Sequence, residues 1–570
     1  MRTAARIKPC LTACKARSTI SATPMLLPTL IACLLPSQQP LLDSGTPPTP
    51  EQACYDVLHY ELALRVDPDK HSIGGTLGMR ARVLKESKSI QIDLDDHFTV
   101  SAITRDKAAL PFERKPGCIL VSGLAALARP GEEFEITIAY AGVPREASNP
   151  PWDGGFTWKK TKSGAPWIAT SCQGEGADLW WPCKDQPDDE PDSMDTFFTV
   201  PEPLVAASNG RLVDVEPAEK GWHTYHWHIG APINNYSVAL DIAPYAKIEG
   251  ELKSTAGDTI PLVYYVLPEN LEKGKQLFEE IKLDLAFFES ICGPYPFRAD
   301  KYGVVETPHL GMEQQTLTGY GNNYRGNPWG AQQGFDFLLH HEMSHEWWGL
   351  LVTARNWNDF WIHEGIGTYT QALYAEKLKG PAAYKQVMSE QRRGIANTGT
   401  LAPREPRSSG EMYTTRIWKD SPAGDIYTKG SWVMHTLRWV LGDETFFKVL
   451  RRFAYPDPAK EKLSDGSACR FATTDELLAI AEKESGQKLG WFWELYLRQP
   501  KLPKLIGTVV GGELRLSWET PANLPFPMQV EVQIGGQTRR VELKDNKASL
   551  PLGSTKEFVL DPDARILRER

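Results

Sequence analysis

The chain has 570 residues, too many for one compact core, so several domains are expected from length alone. Hydrophobic residues make up 41% and charged residues 24%, with 18 tryptophans, a composition that excludes wholesale disorder. The formal net charge is -9 and no run of lysine and arginine stands out, so nothing would neutralise a phosphate backbone, and no nucleic-acid partner is expected.

Residues 1–50 differ in character from the rest of the chain. Five cations and no acid lie in the stretch up to Arg17; an apolar stretch from Met25 to Leu35 and proline-rich polar sequence to Pro50 come next, the pattern of an export signal and linker. The apolar stretch is broken by Pro28 and falls well short of the roughly 20 residues a membrane-crossing helix needs, so no transmembrane helix is expected. Leu30-Ile31-Ala32-Cys33 fits the short pattern acylated in bacterial lipoproteins, and Leu11-Thr12-Ala13-Cys14 fits it too. The expectation is export to a bacterial periplasm or cell envelope, with lipid anchoring at Cys33 as a minority reading and a cytoplasmic location as the alternative. Beyond the leader, Cys54, Cys118, Cys172, Cys183, Cys292 and Cys469 contain no Cys-x-x-Cys pair, and their spacing assigns no disulfide.

From residue 51 to about 250, apolar and polar positions alternate, as in Tyr60-Glu61-Leu62-Ala63-Leu64-Arg65-Val66, with glycine, proline and aspartate as punctuation. This predicts an N-terminal β domain, in which the acids from Asp185 to Asp192 form a solvated loop. Near Asn270 the period changes: Leu277, Ile281, Leu285 and Phe288 share one helical face, and helix signals dominate to about Leu497. A mainly helical domain over 251–499 is expected. The last segment, 500–570, returns to short strands such as Glu513-Leu514-Arg515-Leu516-Ser517-Trp518 and predicts a small β domain resembling a sandwich.

Within the helical domain, His341-Glu342-Met343-Ser344-His345 has the His-Glu-x-x-His spacing. Residues i and i+4 project side by side on a helix, so both imidazoles can reach one metal. Phe335, Leu339, Met343 and Trp347 repeat every fourth residue on the opposite side, which predicts a helix running through all four. Glu364, in Trp361-Ile362-His363-Glu364-Gly365, supplies a third ligand from a second helix. Two histidines and one glutamate leave a fourth position open for water, the mark of a catalytic zinc site. Zinc brings the pKa of bound water down to about 7, and Glu342 beside it is the candidate general base. His340, Glu346 and His363 flank the ligands without assignable roles.

The stretch HHEMSHEWWGLLVTARNWNDFWIHEGIGTY, starting at His340, resembles the zinc-helix region of the aminopeptidase N and leukotriene hydrolase family, and the resemblance extends from about Tyr55 to Leu497. It implies an N-terminal β saddle, a thermolysin-like catalytic domain holding one zinc ion per chain, and removal of residues from the free amino end of peptides. The segment around Gly311, Met312 and Glu313 is similar to the family's exopeptidase motif, an edge strand whose glutamate grips the substrate's amino group. Leu310 and Gln314 depart from that motif. SCQGEGADLWWPCKDQP, starting at Ser171, resembles the segment lining the first substrate pocket, which assigns Gln173, with Glu175 as rival. Tyr427, in Tyr-x-Lys-Gly, matches the phenol that shares the developing negative charge on oxygen, with Tyr413 as weaker candidate. Together these imply a multidomain α+β zinc aminopeptidase acting by a zinc-activated water. The rivals are a lipid-epoxide hydrolase like the leukotriene hydrolases, an endopeptidase, and a catalytically dead binding protein, against which intact Glu342, Glu313 and Tyr427 argue. No motif sets the oligomeric state.

Overall fold

The computed structural model describes residues 43–123, 128–413, 423–555 and 557–569. The leader readings, including Cys33, lie outside the described residues.

The alternating N-terminal sequence forms an eight-stranded sheet. Tyr55–Asp67 pairs in parallel with Ser193–Pro201 and antiparallel with Ser72–Val83. Tyr60, Leu62, Leu64 and Val66 are buried while Glu61 and Arg65 face water, as a period of two requires. A register shift between Val57 and His59 lets Val57 and Leu58 both turn inward. A four-stranded sheet comes next, containing Gly155–Lys160, Pro166–Ser171, Val205–Ala207 and Asp241–Ala243.

Of the acids expected in a solvated loop, Asp189 is instead buried and Asp185 and Glu190 are half-buried. Asp189 is paired with Lys184 and accepts a hydrogen bond from the Val57 amide at 3.3 Å. Glu190 accepts from the Thr353 hydroxyl at 3.1 Å. Only Asp188 and Asp192 remain exposed. The acids turn inward because buried backbone and side-chain donors need acceptors there, a long-range demand that a run of charge does not reveal.

A five-stranded sheet carries the chain into the helical half. Its order is Ala246–Lys253, Thr259–Val266, Tyr302–Glu306, Leu317–Tyr320 and, at the edge, Gly311–Met312. Leu262, Tyr264 and Val266 pack into the helical core, while Val263, Tyr265, Met312 and Leu317 pack into the core of the β half. Both faces are therefore covered, and the edge strand is held between the two cores.

Five helices position the site: α1 (Leu271–Cys292), α2 (Phe337–Ser344), α3 (Trp361–Lys379), α4 (Pro381–Gly394) and α5 (Asp425–Leu441). The expected face of α1 is buried at Leu277, Ile281, Leu285 and Phe288. Helix α2 is shorter than its period suggested: Phe335 precedes the cap residue Asp336, and Trp347 lies beyond the end. After His345 the chain turns, with Gly349 at φ 145°, into Val352–Ala354, which pairs with Arg470–Ala472. Trp347 keeps its place in the core from this turn, donating to the Gly293 carbonyl at 3.0 Å, so the four-residue repeat outlasts the helix.

The last residues form two three-stranded sheets, one containing Glu513–Glu519 and the other Val530–Ile534. Their buried side chains join the helical core, and the tail returns to it: the Tyr496 hydroxyl donates to the Leu567 carbonyl at 2.7 Å. Among the described residues no helix is long and apolar enough to cross a membrane, and the six cysteines are free thiols.

Candidate metal centre

Helix α2 is clamped at both ends to the segment that pairs with the edge strand. At its start, Asp336 accepts from the amides of Leu338 and Leu339, and its second oxygen accepts from Tyr320 at 2.8 Å and Asn322 at 2.7 Å. At its end, Glu346 accepts from the Thr316 amide at 2.9 Å and the Tyr295 hydroxyl at 3.2 Å. Helix α3 approaches α2 through Gly367, where a Cβ would stand 2.6 Å from Ser344 Oγ, and crosses α5 where Gly365 meets Gly430.

These contacts bring three donor atoms together. His341 Nε2 lies 3.1 Å from Glu364 Oε2 and 3.3 Å from His345 Nε2, and His345 Nε2 lies 3.6 Å from Glu364 Oε2. Ligand bonds of about 2.0–2.1 Å at tetrahedral angles place donors about 3.3 Å apart, so the set fits a zinc ion. The second nitrogen of His345, Nδ1, faces the Trp348 carbonyl at 2.9 Å, which fixes the tautomer that turns the Nε2 lone pair toward the centre. Among the described residues this is the only such group of three.

The donors open onto a cavity of about 530 Å³. Glu342 lines it beside the ligands, with 9% of its surface exposed. Burial pushes its carboxyl up to about 8, with His345 pulling the other way. Gly311 faces it across the cavity wall, where a Cβ would stand 2.7 Å from Glu342 Oε1 and 2.8 Å from Leu338 Cδ1. Only glycine leaves that carboxylate its place. Met312, the other residue of the edge strand, lines the cavity as well.

Glu313 closes one end. Gln173 Nε2 donates to its Oε1 at 2.5 Å, and the Tyr236 hydroxyl donates to the same oxygen. Its Oε2 lies 2.6 Å from His345 Nδ1 but off the N–H direction, so this buried oxygen accepts no hydrogen bond. Burial works to raise the Glu313 carboxyl, but His345 and His363 outweigh it and hold the group well below the usual carboxylate range. His363 accepts from the Ala354 amide at 2.8 Å and turns Nδ1 toward Glu313 at 3.5 Å, so it serves Glu313 and not the ligands. The rival Glu175 accepts from the Gly154 amide at 2.9 Å, and it is Gln173 that reaches Glu313. His340 stands apart, stacked on Phe288 and Tyr374 and 3.5 Å from Asp284.

On the side of α5, the Tyr427 ring lies 5.9 Å from the His341 ring, and its hydroxyl lies 3.0 Å from that of Tyr413. Both phenols line the cavity, and burial, with Glu364 adding to it, pushes both above their ordinary range. Sequence reasoning named the three donors, Glu342, Gly311, Met312, Glu313, Gln173 and both phenols, but not Tyr236, which sits in the β half, 77 positions before Glu313, in no recognisable motif.

The Peptidase family M1 domain matches residues 289–496, and the Peptidase M1 N-terminal domain matches residues 57–236. Leucine aminopeptidase 2 of Saccharomyces cerevisiae is 25% identical over 517 residues, covering 85% of this chain and 70% of that protein. Endoplasmic reticulum aminopeptidase 1 of Homo sapiens is 22% identical over 448 residues, covering 72% of this chain and 45% of its own length. Among solved structures, the M1 zinc metallopeptidase from Deinococcus radiodurans superposes with a TM-score of 0.61 at 21% identity, covering 79% of this chain and 94% of that one. Legionella pneumophila aminopeptidase A, in complex with aspartic acid, gives 0.71 at 16% identity, covering 90% and 59%. At these identities the two structures share the fold.

Proposed function

The chain belongs to peptidase family M1 and is a zinc metallopeptidase with aminopeptidase relatives, and from that premise we propose that it cuts the first peptide bond of peptides with a free amino terminus, using the residues gathered around the cavity. His341, His345 and Glu364 would hold the zinc. When bound, zinc supplies Lewis-acid polarisation and acidifies water.

Glu342, on the cavity wall, takes the proton from the attacking water and hands it to the leaving nitrogen. Tyr427 donates its phenolic proton in a hydrogen bond to the carbonyl oxygen as charge develops there. The free side of Gly311–Met312 offers backbone groups to the peptide, which fixes its direction.

The observation behind the exopeptidase reading is Glu313 Oε2, buried in the cavity wall, which faces His345 Nδ1 at 2.6 Å yet accepts no hydrogen bond. A buried carboxylate oxygen that accepts no hydrogen bond has acceptor capacity to spare, and a substrate ammonium would use it in a charge-assisted bond while Gln173 and Tyr236 hold the other oxygen. That bond sets how far the first peptide bond lies from the metal ligands, so one residue is removed at a time.

A peptide and its N-acetylated twin test this. The free-amine peptide is expected to lose its first residue, a chelator to stop the reaction, and the acetylated peptide to stay intact. Glu313→Ala should raise KM for the free amine and erase most of that difference. Equal cleavage of the two peptides by the unmodified protein would make it an endopeptidase.

A further inference from the structure

Among the described residues four carboxylates line the cavity, those of Glu313, Glu342, Glu364 and Glu390, and no lysine or arginine does. A divalent zinc and a substrate ammonium together bring three positive charges, which leaves one of these four carboxylates without a counter-charge among the described residues. Glu390 is the one that neither the metal centre nor the amino-group site uses. It projects from α4, and its two oxygens share a single long contact with the Ala331 amide, 3.3 Å to each, with Gln386 Nε2 at 3.5 Å. No described cation pairs with it.

Its place in the cavity is set by α2. Glu313 touches His345 at the C-terminal end of that helix. The wall bearing Glu390 stands at the other end: Gln391, its neighbour, donates to the Thr368 carbonyl at 3.0 Å, one turn beyond Glu364 on α3, and Gln371, a turn further, donates to the Phe337 carbonyl at 2.9 Å. The eight residues of α2 rise about 12 Å, and an extended peptide advances about 3.3 Å per residue. The second and third residues of a peptide anchored at Glu313 thus stand about 3 and 7 Å along that length, and a long side chain reaching forward from there spans the remainder toward the Glu390 end. Gly330 packs directly on the Glu390 carboxylate, and the adjacent Trp329, which lines the same cavity, is 59% exposed.

We propose that this leaving-group end of the cleft selects peptides with lysine or arginine in the second or third position, the cation lying between the Glu390 carboxylate and the Trp329 indole. An ammonium or guanidinium gains both a charge-assisted hydrogen bond and an attraction to the ring face. A glutamate side chain in the same position meets an uncompensated negative charge. The inference rests on the aminopeptidase reading and adds a substrate class to it.

The experiment measures kcat/KM for release of the first amino acid from peptides that share that residue and carry arginine, glutamine or glutamate at positions two and three. Arginine should exceed glutamate by about tenfold or more at one of the two positions, with glutamine between them. Glu390→Gln keeps an acceptor for the Ala331 amide, so the zinc content should hold while the arginine-to-glutamate ratio collapses, and Glu390→Lys should invert it. High salt should shrink the ratio in the unmodified protein, a check that needs no variant. Equal rates for arginine and glutamate, or a ratio that persists in Glu390→Gln, would overturn the proposal. Failure to release any amino acid from zinc-loaded protein would sink the aminopeptidase reading beneath it.

Discussion

Tyr427 and Tyr413 touch through their hydroxyls at 3.0 Å, yet they should respond differently to loss of that group. On our reading Tyr427 donates to the oxygen where charge develops, and removing such a donor costs about 3 kcal/mol in the transition state. Tyr427→Phe should therefore lower kcat about a hundredfold with zinc stoichiometry unchanged. Tyr413 acts through Tyr427 as a positioning residue, so Tyr413→Phe should lose only about tenfold or less. Paired kcat and metal measurements on the two variants check this, and equal losses would reverse the assignment. At this scale the sequence was most legible where chemistry imposes local spacing. His341, His345 and Glu342 follow from one helical turn, and Glu364 from the next helix. Tyr236 was not legible, because its bond to Glu313 is made by packing between distant segments and leaves no trace in spacing.

At the scale of elements, the site depends on how closely helices approach. A Cβ at Gly365 would stand 2.9 Å from the Cα of Gly430, and this crossing brings Tyr427 on α5 alongside Glu364 and His341 on α3 and α2. Overpacking of a tight contact costs about 1–3 kcal/mol, so Gly365→Ala should lower the Tm by several degrees and weaken zinc retention. Gly490→Ala, at a helix start with open space around it, is the control and should leave both unchanged or slightly improved. Thermal unfolding and zinc content after dialysis distinguish the two, and an unaffected Gly365→Ala would mean that the helices have room to spare. Elements were read well where one period governs a whole segment, as along Tyr60 to Val66 or Leu277 to Phe288. The end of α2 was missed because Trp347 continues the four-residue repeat from a turn. The acids at Asp189 and Glu190 were misread because their partners Lys184, Val57 and Thr353 come together only in the folded chain.

Across the whole molecule, the cavity is assembled from both halves. Gln173 and Tyr236 come from the β half, while Glu313 and the donors come from the helical half, and the five-stranded sheet packed between the two cores fixes their spacing. The small C-terminal sheets add their side chains to the helical core, with the tail bound to Tyr496 near Pro500. Everything proposed for catalysis and selection refers back to one point, where His341, His345 and Glu364 converge. Anomalous scattering at the zinc edge, recorded from crystals of the active protein, locates that point directly. A single full-occupancy peak is expected within about 2.0–2.2 Å of His341 Nε2, His345 Nε2 and a Glu364 oxygen. A peak elsewhere, or active protein with no metal at those three atoms, would contradict the zinc assignment and the chemistry built on it.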